Sequence, residues 1–117
     1  KQFLYEPNAA VMKSGAFRLV SKYFKLYKLD INTHLYTSER KIKNFPGKIY
    51  EIISTHNYHK KSIRQIIRGR KANLKTRNFP EKNEVLKKLF KISDGGENYL
   101  FFTSNLKNKI VIDCQLA

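Results

Sequence analysis

The residues with the clearest chemical potential are cations, and they concentrate between Tyr58 and Lys91 of this 117-residue sequence. The stretch holds 12 lysines or arginines but only two acids, Glu81 and Glu84. Because phosphates repeat along a nucleic-acid strand, a row of cations on one surface is typical of phosphate binding. We predict that eight of these cations contact phosphates: Lys60, Lys61, Arg64, Arg68, Arg70, Lys71, Lys75 and Arg77.

The charge of the whole chain points to the same class of partner. A formal net charge of +15 exceeds what solubility requires, and nucleic acid is the commonest polyanion that such a field attracts. An A/T-rich genome, which favours lysine codons, is an alternative cause of this charge. Tyr58 is a candidate for stacking on an unpaired base, although its position is equally consistent with a place in the core.

Other reactive residue types do not form a recognisable catalytic, metal or cofactor site in the sequence. His56 and His59 lie three apart without a carboxylate or thiol at ligand spacing, and the acids are scattered singly. Cys114 is the single cysteine and lies in an apolar stretch, so we expect a buried core residue. No glycine-rich phosphate loop is present. We therefore predict that this chain alone holds no catalytic residue, metal or cofactor.

The elements that must position the cations are a strand, a helix and a second strand. Alternating apolar and polar residues predict strands over Lys48–Thr55 and Ala72–Arg77. Between them His59–Arg68 has helical periodicity, and Gly69 is suited to ending the helix because glycine readily adopts left-handed angles. In the second strand Leu74 is expected to point inward, with Lys75 and Arg77 on the opposite side or at the edge.

The predicted helix between these strands has two unlike sides. Its apolar side is expected to pack on a sheet, and its opposite side carries a column of cations spaced four residues apart. The apolar side comprises Ile63, Ile66 and Ile67, and the column comprises Lys60, Arg64 and Arg68.

The rest of the chain completes an α+β fold. Asn8 is a good helix N-cap, and a helix is predicted over Ala9–Lys25, followed by short strands at Leu26–Ile31 and Thr33–Thr37. A second helix, Glu81–Lys91, and a hairpin of Tyr99–Thr103 with Lys109–Gln115 follow. From Lys48 the order is β-α-β-α-β-β, which predicts a small mixed sheet with helices packed on one face. No apolar run reaches the length of a membrane span and no signal peptide is recognisable, so we expect no membrane partner and a cytoplasmic location.

Two segments, Phe3–Ser38 and Phe45–Pro80, resemble the C-terminal half of a family of bacterial class I S-adenosylmethionine-dependent methyltransferases. In that half a small ferredoxin-like segment precedes a THUMP-like domain, which implies domains at residues 1–44 and 45–117 here. The most similar motifs are Tyr5–Ala10, Lys13–Phe17, Asn32–Ser38, Arg77–Pro80 and Asp94–Gly96.

The resemblance implies a role in recognising a methylation substrate. In the family a preceding catalytic domain binds S-adenosylmethionine, and this chain, which begins at Lys1 without a methionine, is expected to be a piece that lacks that domain. RNA and the catalytic domain are the implied partners. Glu6, Pro7 and Asn8 lie where the chain would leave that domain, so they either face its substrate pocket or simply start a helix. Two alternatives are an architectural module that docks the catalytic domain and a free-standing nucleic-acid-binding protein.

Overall fold

The computed structural model describes residues 3–14, 19, 22, 24, 26–30, 33–105 and 108–117. Its strands are β1 (Phe3–Pro7), β2 (Tyr27–Asp30), β3 (Thr33–Ser38), β4 (Gly47–Asn57), β5 (Asn73–Thr76), β6 (Asn98–Asn105) and β7 (Asn108–Leu116). Its helices are α1 (Ala9–Ser14), α2 (Lys60–Ile67) and α3 (Asn83–Phe90).

The seven strands form one sheet in the order β2-β3-β1-β4-β7-β6-β5. Neighbouring strands are antiparallel except β5 and β6, which are parallel. The first strand of the chain lies near the middle, where Tyr5 is opposite both Tyr36 of β3 and Ile49 of β4. The sheet is therefore continuous between the N-terminal strands and the rest of the chain.

Helices α2 and α3 cover one face of the sheet and run in the same direction. At their starts the rings of Tyr58 and Phe79 are 5.1 Å apart, and beyond their ends the Gly69 N–H donates to the Phe90 carbonyl at 2.9 Å. Both helices pack into one buried apolar cluster with Leu74 of β5. This cluster comprises Ile63, Ile67, Ala72, Leu74, Leu86, Phe90, Ile92, Leu100, Phe102 and Val111.

The opposite face is covered by curling of the sheet itself. Leu29 of β2 packs on a second cluster that includes Leu4, Tyr50 and Phe101, so the β2–β3 edge bends over this face. Hydrogen bonds at the closing end support the curl, since Asn78 Nδ2 donates to Thr33 Oγ1 at 2.9 Å. The predicted α+β class, with helices on one face of a mixed sheet, is confirmed.

Most element predictions are confirmed, with shifts at the ends. The β-α-β-α-β-β order holds, and α3 begins at Asn83 rather than Glu81 because Lys82 takes the N-cap position. The predicted first helix is confirmed over Ala9–Ser14, and much of its remainder lies outside the described residues. Within the described part of the chain, no helix has the length and apolar character needed to cross a membrane.

One packing prediction was wrong. Ile66 was assigned to the buried side of the helix, but it is 43% exposed, whereas Ile63 and Ile67 are buried. In this eight-residue helix only Ile63 and Ile67, which are four residues apart, are buried against the sheet. Ile66 lies beside this pair on the helix surface and is therefore partly exposed.

Gly47 is required where β4 begins beside the end of β1. It lies opposite Pro7, and a Cβ atom at this position would come 2.1 Å from the Glu6 carbonyl oxygen. Because that oxygen belongs to the backbone of a paired strand, it has little freedom to move away.

We predict that Gly47→Ala lowers the free energy of unfolding by about 3 kcal/mol, the upper end of the cost of overpacking. Gly69→Ala is the matched control, because a Cβ there meets nothing within 4 Å and only the left-handed backbone angle (φ +76°) is penalised. We expect a cost of about 1 kcal/mol for the control. Urea unfolding measures both values, and equal costs would contradict the close contact at Gly47.

Candidate nucleic-acid interface

Helix α2 presents an exposed row of cations because its apolar stripe fixes which way it faces. Ile63 and Ile67 are buried against the sheet, and the row of Lys60, Arg64 and Arg68 runs along the helix directly beside this stripe, where its side chains are exposed. Arg68 is the C-cap, and its N–H donates to the Arg64 carbonyl at 3.0 Å, which keeps it in line with the helix. The exposed cations of this helix, its C-cap and the segment that follows it, which we call the α2 surface, are Lys60, Lys61, Arg64, Arg68 and Lys71.

The α2 surface keeps its full charge. No member of it lies within ion-pair distance of an acid in the described ranges of the chain. An exposed positive field of this kind attracts polyanions and accelerates their association. The neighbouring α3 segment adds exposed cations that the predicted site left out, although the charge density of the sequence could have indicated them: Lys82, Lys88 and Lys91.

Three of the eight predicted phosphate ligands are paired with acids. Arg70 Nη1 lies 3.0 Å from Asp113 Oδ2 on β7, and both Lys75 and Arg77 pair with Glu6 of β1. The eight cations therefore do not share one surface. The reason is the alternation of β5, which points Leu74 toward the helices and consequently Lys75 toward the other face.

Glu6 is the centre of this internal charge cluster. Its side chain is only 13% exposed, Lys75 Nζ lies 3.4 Å from its Oε1, and the Arg77 guanidinium donates to its Oε2. Lys75 Nζ also lies 5.9 Å from the centroid of the Tyr99 ring, which adds a cation–π contact. Lys48 of β4 is directly opposite Glu6 in the strand register, but its exposed side chain is not among the ion-pair partners of the carboxylate in the described chain.

Tyr58, the candidate for base stacking, is part of the helix-side core. Its ring contacts those of Phe79, Phe90 and Phe102 edge-on, with centroids 5.1, 6.2 and 6.0 Å away. Burial, and secondarily the Glu81 carboxylate, raises the pKa of its hydroxyl. This placement favours the core role that the sequence had left open.

Cys114 is buried as predicted. Its thiol approaches the Tyr99 carbonyl at 3.6 Å, and burial raises the pKa of the thiol to about 12. The thiol is therefore protonated at neutral pH and a poor nucleophile. Among the residues that the structure describes, no three His, Cys, Asp or Glu side chains come together to hold a metal ion.

Glu6, Pro7 and Asn8 line a cavity of about 790 Å³ beside α1 and the starts of β3 and β4. Asn8 also caps α1, since its Oδ1 accepts the Val11 N–H at 2.9 Å. The motif thus starts a helix and faces a cavity at once. The other residues of the cavity wall are Ala9, Met12, Thr33, His34, Gly47, Lys48, Arg77 and Asn78.

Comparison with known proteins identifies both halves of the chain. Residues 47–115 match a family described as THUMP domain-like, and residues 3–46 match a ferredoxin-like domain. The chain belongs to the THUMP-domain-like family. The α2 surface lies wholly within the THUMP-like segment, whereas Glu6 belongs to the ferredoxin-like segment. The domain division at residues 44 and 45 stays a prediction.

The THUMP-like chain is also similar to a solved structure. The match is the crystal structure of a "putative methyltransferase" from Porphyromonas gingivalis W83. The two sequences are 32% identical, and the two structures superpose with a TM-score of 0.89. The match covers 99% of this chain but 29% of that protein, so the THUMP-like chain spans less than a third of its length. A search of curated proteins found no match.

We predict that Glu6→Gln lowers the free energy of unfolding by roughly 2 kcal/mol, because two partly buried cations lose their counter-charge. Glu51→Gln is the matched control, since Glu51 is an exposed strand glutamate with no ion pair in the described chain. Chemical denaturation of both variants tests this, and a Glu6 variant as stable as the Glu51 variant would refute the structural role of the cluster.

Proposed function

We propose that this chain is the RNA-binding, substrate-recognition part of an S-adenosylmethionine-dependent methyltransferase. The observation that carries the proposal is the α2 surface, five exposed cations without an acid partner in the described chain. The THUMP-like family and the similarity to part of a longer protein named as a methyltransferase support it. The expected cytoplasmic location is part of the same proposal.

The α2 surface binds the RNA backbone rather than particular bases. Lys60, Arg64 and Arg68 follow one another along about 12 Å of helix, a length that covers several successive phosphates of a strand. The arginine guanidinium groups donate two parallel hydrogen bonds to a phosphate, and the lysines act as point charges. Such contacts position a strand without reading its sequence.

This role implies that the two parts of the whole enzyme have different functions. A separate domain holds S-adenosylmethionine, which supplies the methyl group, and contains the catalytic residues. The chain described here captures the RNA and orients it toward that domain. The site of methylation is then determined by where the bound strand leaves the α2 surface.

We predict that the Arg64→Glu, Arg68→Glu double variant binds RNA at least tenfold more weakly than the parent in 0.1 M salt. The plot of log K against log salt concentration should become shallower by about 1.4, since two phosphate contacts to a single strand are lost. Filter binding of labelled tRNA and of a single-stranded RNA, titrated against salt, measures both quantities.

The matched control is the Lys41→Glu, Lys43→Glu double variant. It changes the net charge by the same amount, but its exposed lysines lie in the loop before β4, away from α2. The control should lose much less affinity than the α2 variant. Equal losses would show that only total charge matters, and a parent protein with no salt-dependent RNA binding would favour a module that docks protein.

A further inference from the structure

We propose that the cavity bounded by Glu6, Asn8, Lys48, Arg77 and Asn78 binds one nucleotide unit, a nucleobase together with its phosphate. This inference deepens the proposed RNA binding and rests on it, because the unit would be one unpaired residue of the bound strand. A volume of about 790 Å³ is in the range of about 300–1,000 Å³ that is typical of small-ligand sites.

The charges of the cavity favour a phosphate. Glu6 neutralises one positive charge, but both Arg77 and Lys48 line the cavity, so these three side chains together carry a net positive charge. Lys48 is exposed and has no ion-pair partner among the described acids. Arg77 is held by Glu6 and by its own donation to the Thr76 carbonyl at 2.7 Å, which leaves further N–H groups for a ligand.

The remaining wall suits a base. Pro7, Ala9 and Met12 supply apolar surface against which a ring can lie. Two amide side chains supply hydrogen-bonding groups. Asn8 uses its Oδ1 to cap α1, so its NH₂ group is free to donate, and Asn78 uses its NH₂ group on Thr33, so its Oδ1 is free to accept. A donor and an acceptor in the lining of one cavity are the groups that the edge of an unpaired base needs.

A hydrogen bond from Ser104 fixes the backbone at Asn78, which lines the cavity. Asn78 has a left-handed φ of +55°, and its carbonyl accepts a hydrogen bond from Ser104 Oγ at 2.9 Å. Asn78 also connects the cavity to the α2 surface, since the next residue, Phe79, contacts Tyr58 immediately before α2. For this inference, an RNA strand that runs along α2 must pass the N-terminal end of the helix and turn into the cavity.

The test is an NMR titration of the ¹⁵N-labelled chain with each of the four nucleoside 5′-monophosphates, and separately with inorganic phosphate. We expect saturable shifts of the amide signals of Asn8, Ala9, Gly47 and Asn78 with at least one nucleotide. Inorganic phosphate should bind at least tenfold more weakly, because it lacks the base.

Two lysine variants test whether the nucleotide binds in the cavity. Lys48→Gln should weaken nucleotide binding at least threefold, whereas Lys43→Gln, an equally exposed lysine just before β4, should leave it unchanged. Shifts confined to α2, no saturable shifts, or phosphate binding as tight as nucleotide binding would each overturn the inference.

A six-nucleotide single-stranded RNA distinguishes an RNA residue from a free nucleotide. It should cause the same cavity shifts at a lower concentration than the monophosphates, because the α2 surface adds phosphate contacts. The Arg64→Glu, Arg68→Glu variant should lose this advantage but keep its monophosphate shifts. A parent chain that binds monophosphates in the cavity but binds RNA no more tightly would refute the proposed function while leaving a free-nucleotide site.

Discussion

The Glu6 carboxylate, held between Lys75 and Arg77, is the interaction on which the rest of the structure depends. Lys75 and Arg77 lie 69 and 71 positions after Glu6 in the sequence, and their contacts with Glu6 connect β1 to the end of β5. Those strands are far apart in the sheet order, so the contact exists only because the sheet curls. Removing one member would leave a charge of opposite sign partly buried and unpaired, which is more costly than losing an exposed pair.

The same charge cluster links the two segments of the chain that match the two families. Glu6 belongs to the ferredoxin-like segment, and its two partners belong to the THUMP-like segment. Since β1 also pairs with β4 along five residue pairs, the segments share backbone hydrogen bonds as well as charges. The cavity lies at this junction and takes residues from both segments, so it depends on their being joined in one sheet.

The cluster also divides the basic residues into two sets. Arg70, Lys75 and Arg77 are paired with acids, whereas the cations of the α2 surface have no acid partner among the described residues. A net charge of +15 therefore overstates what is available for RNA at any one place.

Local periodicity predicted much of the fold and the exposure of the cations on α2. The buried stripe of Ile63 and Ile67 determined the orientation of α2, and hence its exposed cations, from a repeat of four residues. The alternation around Leu74 likewise placed Lys75 on the opposite side of β5. These features depend only on neighbours in the sequence.

The features that were missed depend on distant contacts. Nothing in the spacing of one sequence shows that Glu6 meets Lys75, because that contact requires the sheet order and its curl. Tyr58 could not be assigned for the same reason, since three phenylalanines from separate segments enclose it. The cavity follows from the junction of α1, β3 and β4, which only the assembled sheet brings together.

The most direct test of this division of the charges is lysine acetylation followed by mass spectrometry, with and without bound RNA. The account predicts that Lys60, Lys61 and Lys71 react readily in the free protein and are protected by RNA. It also predicts that Lys75, whose side chain is 24% exposed and paired with Glu6, reacts slowly in both states. Fast acetylation of Lys75, or RNA protection of Lys41 and Lys43 equal to that of Lys60 and Lys61, would contradict it.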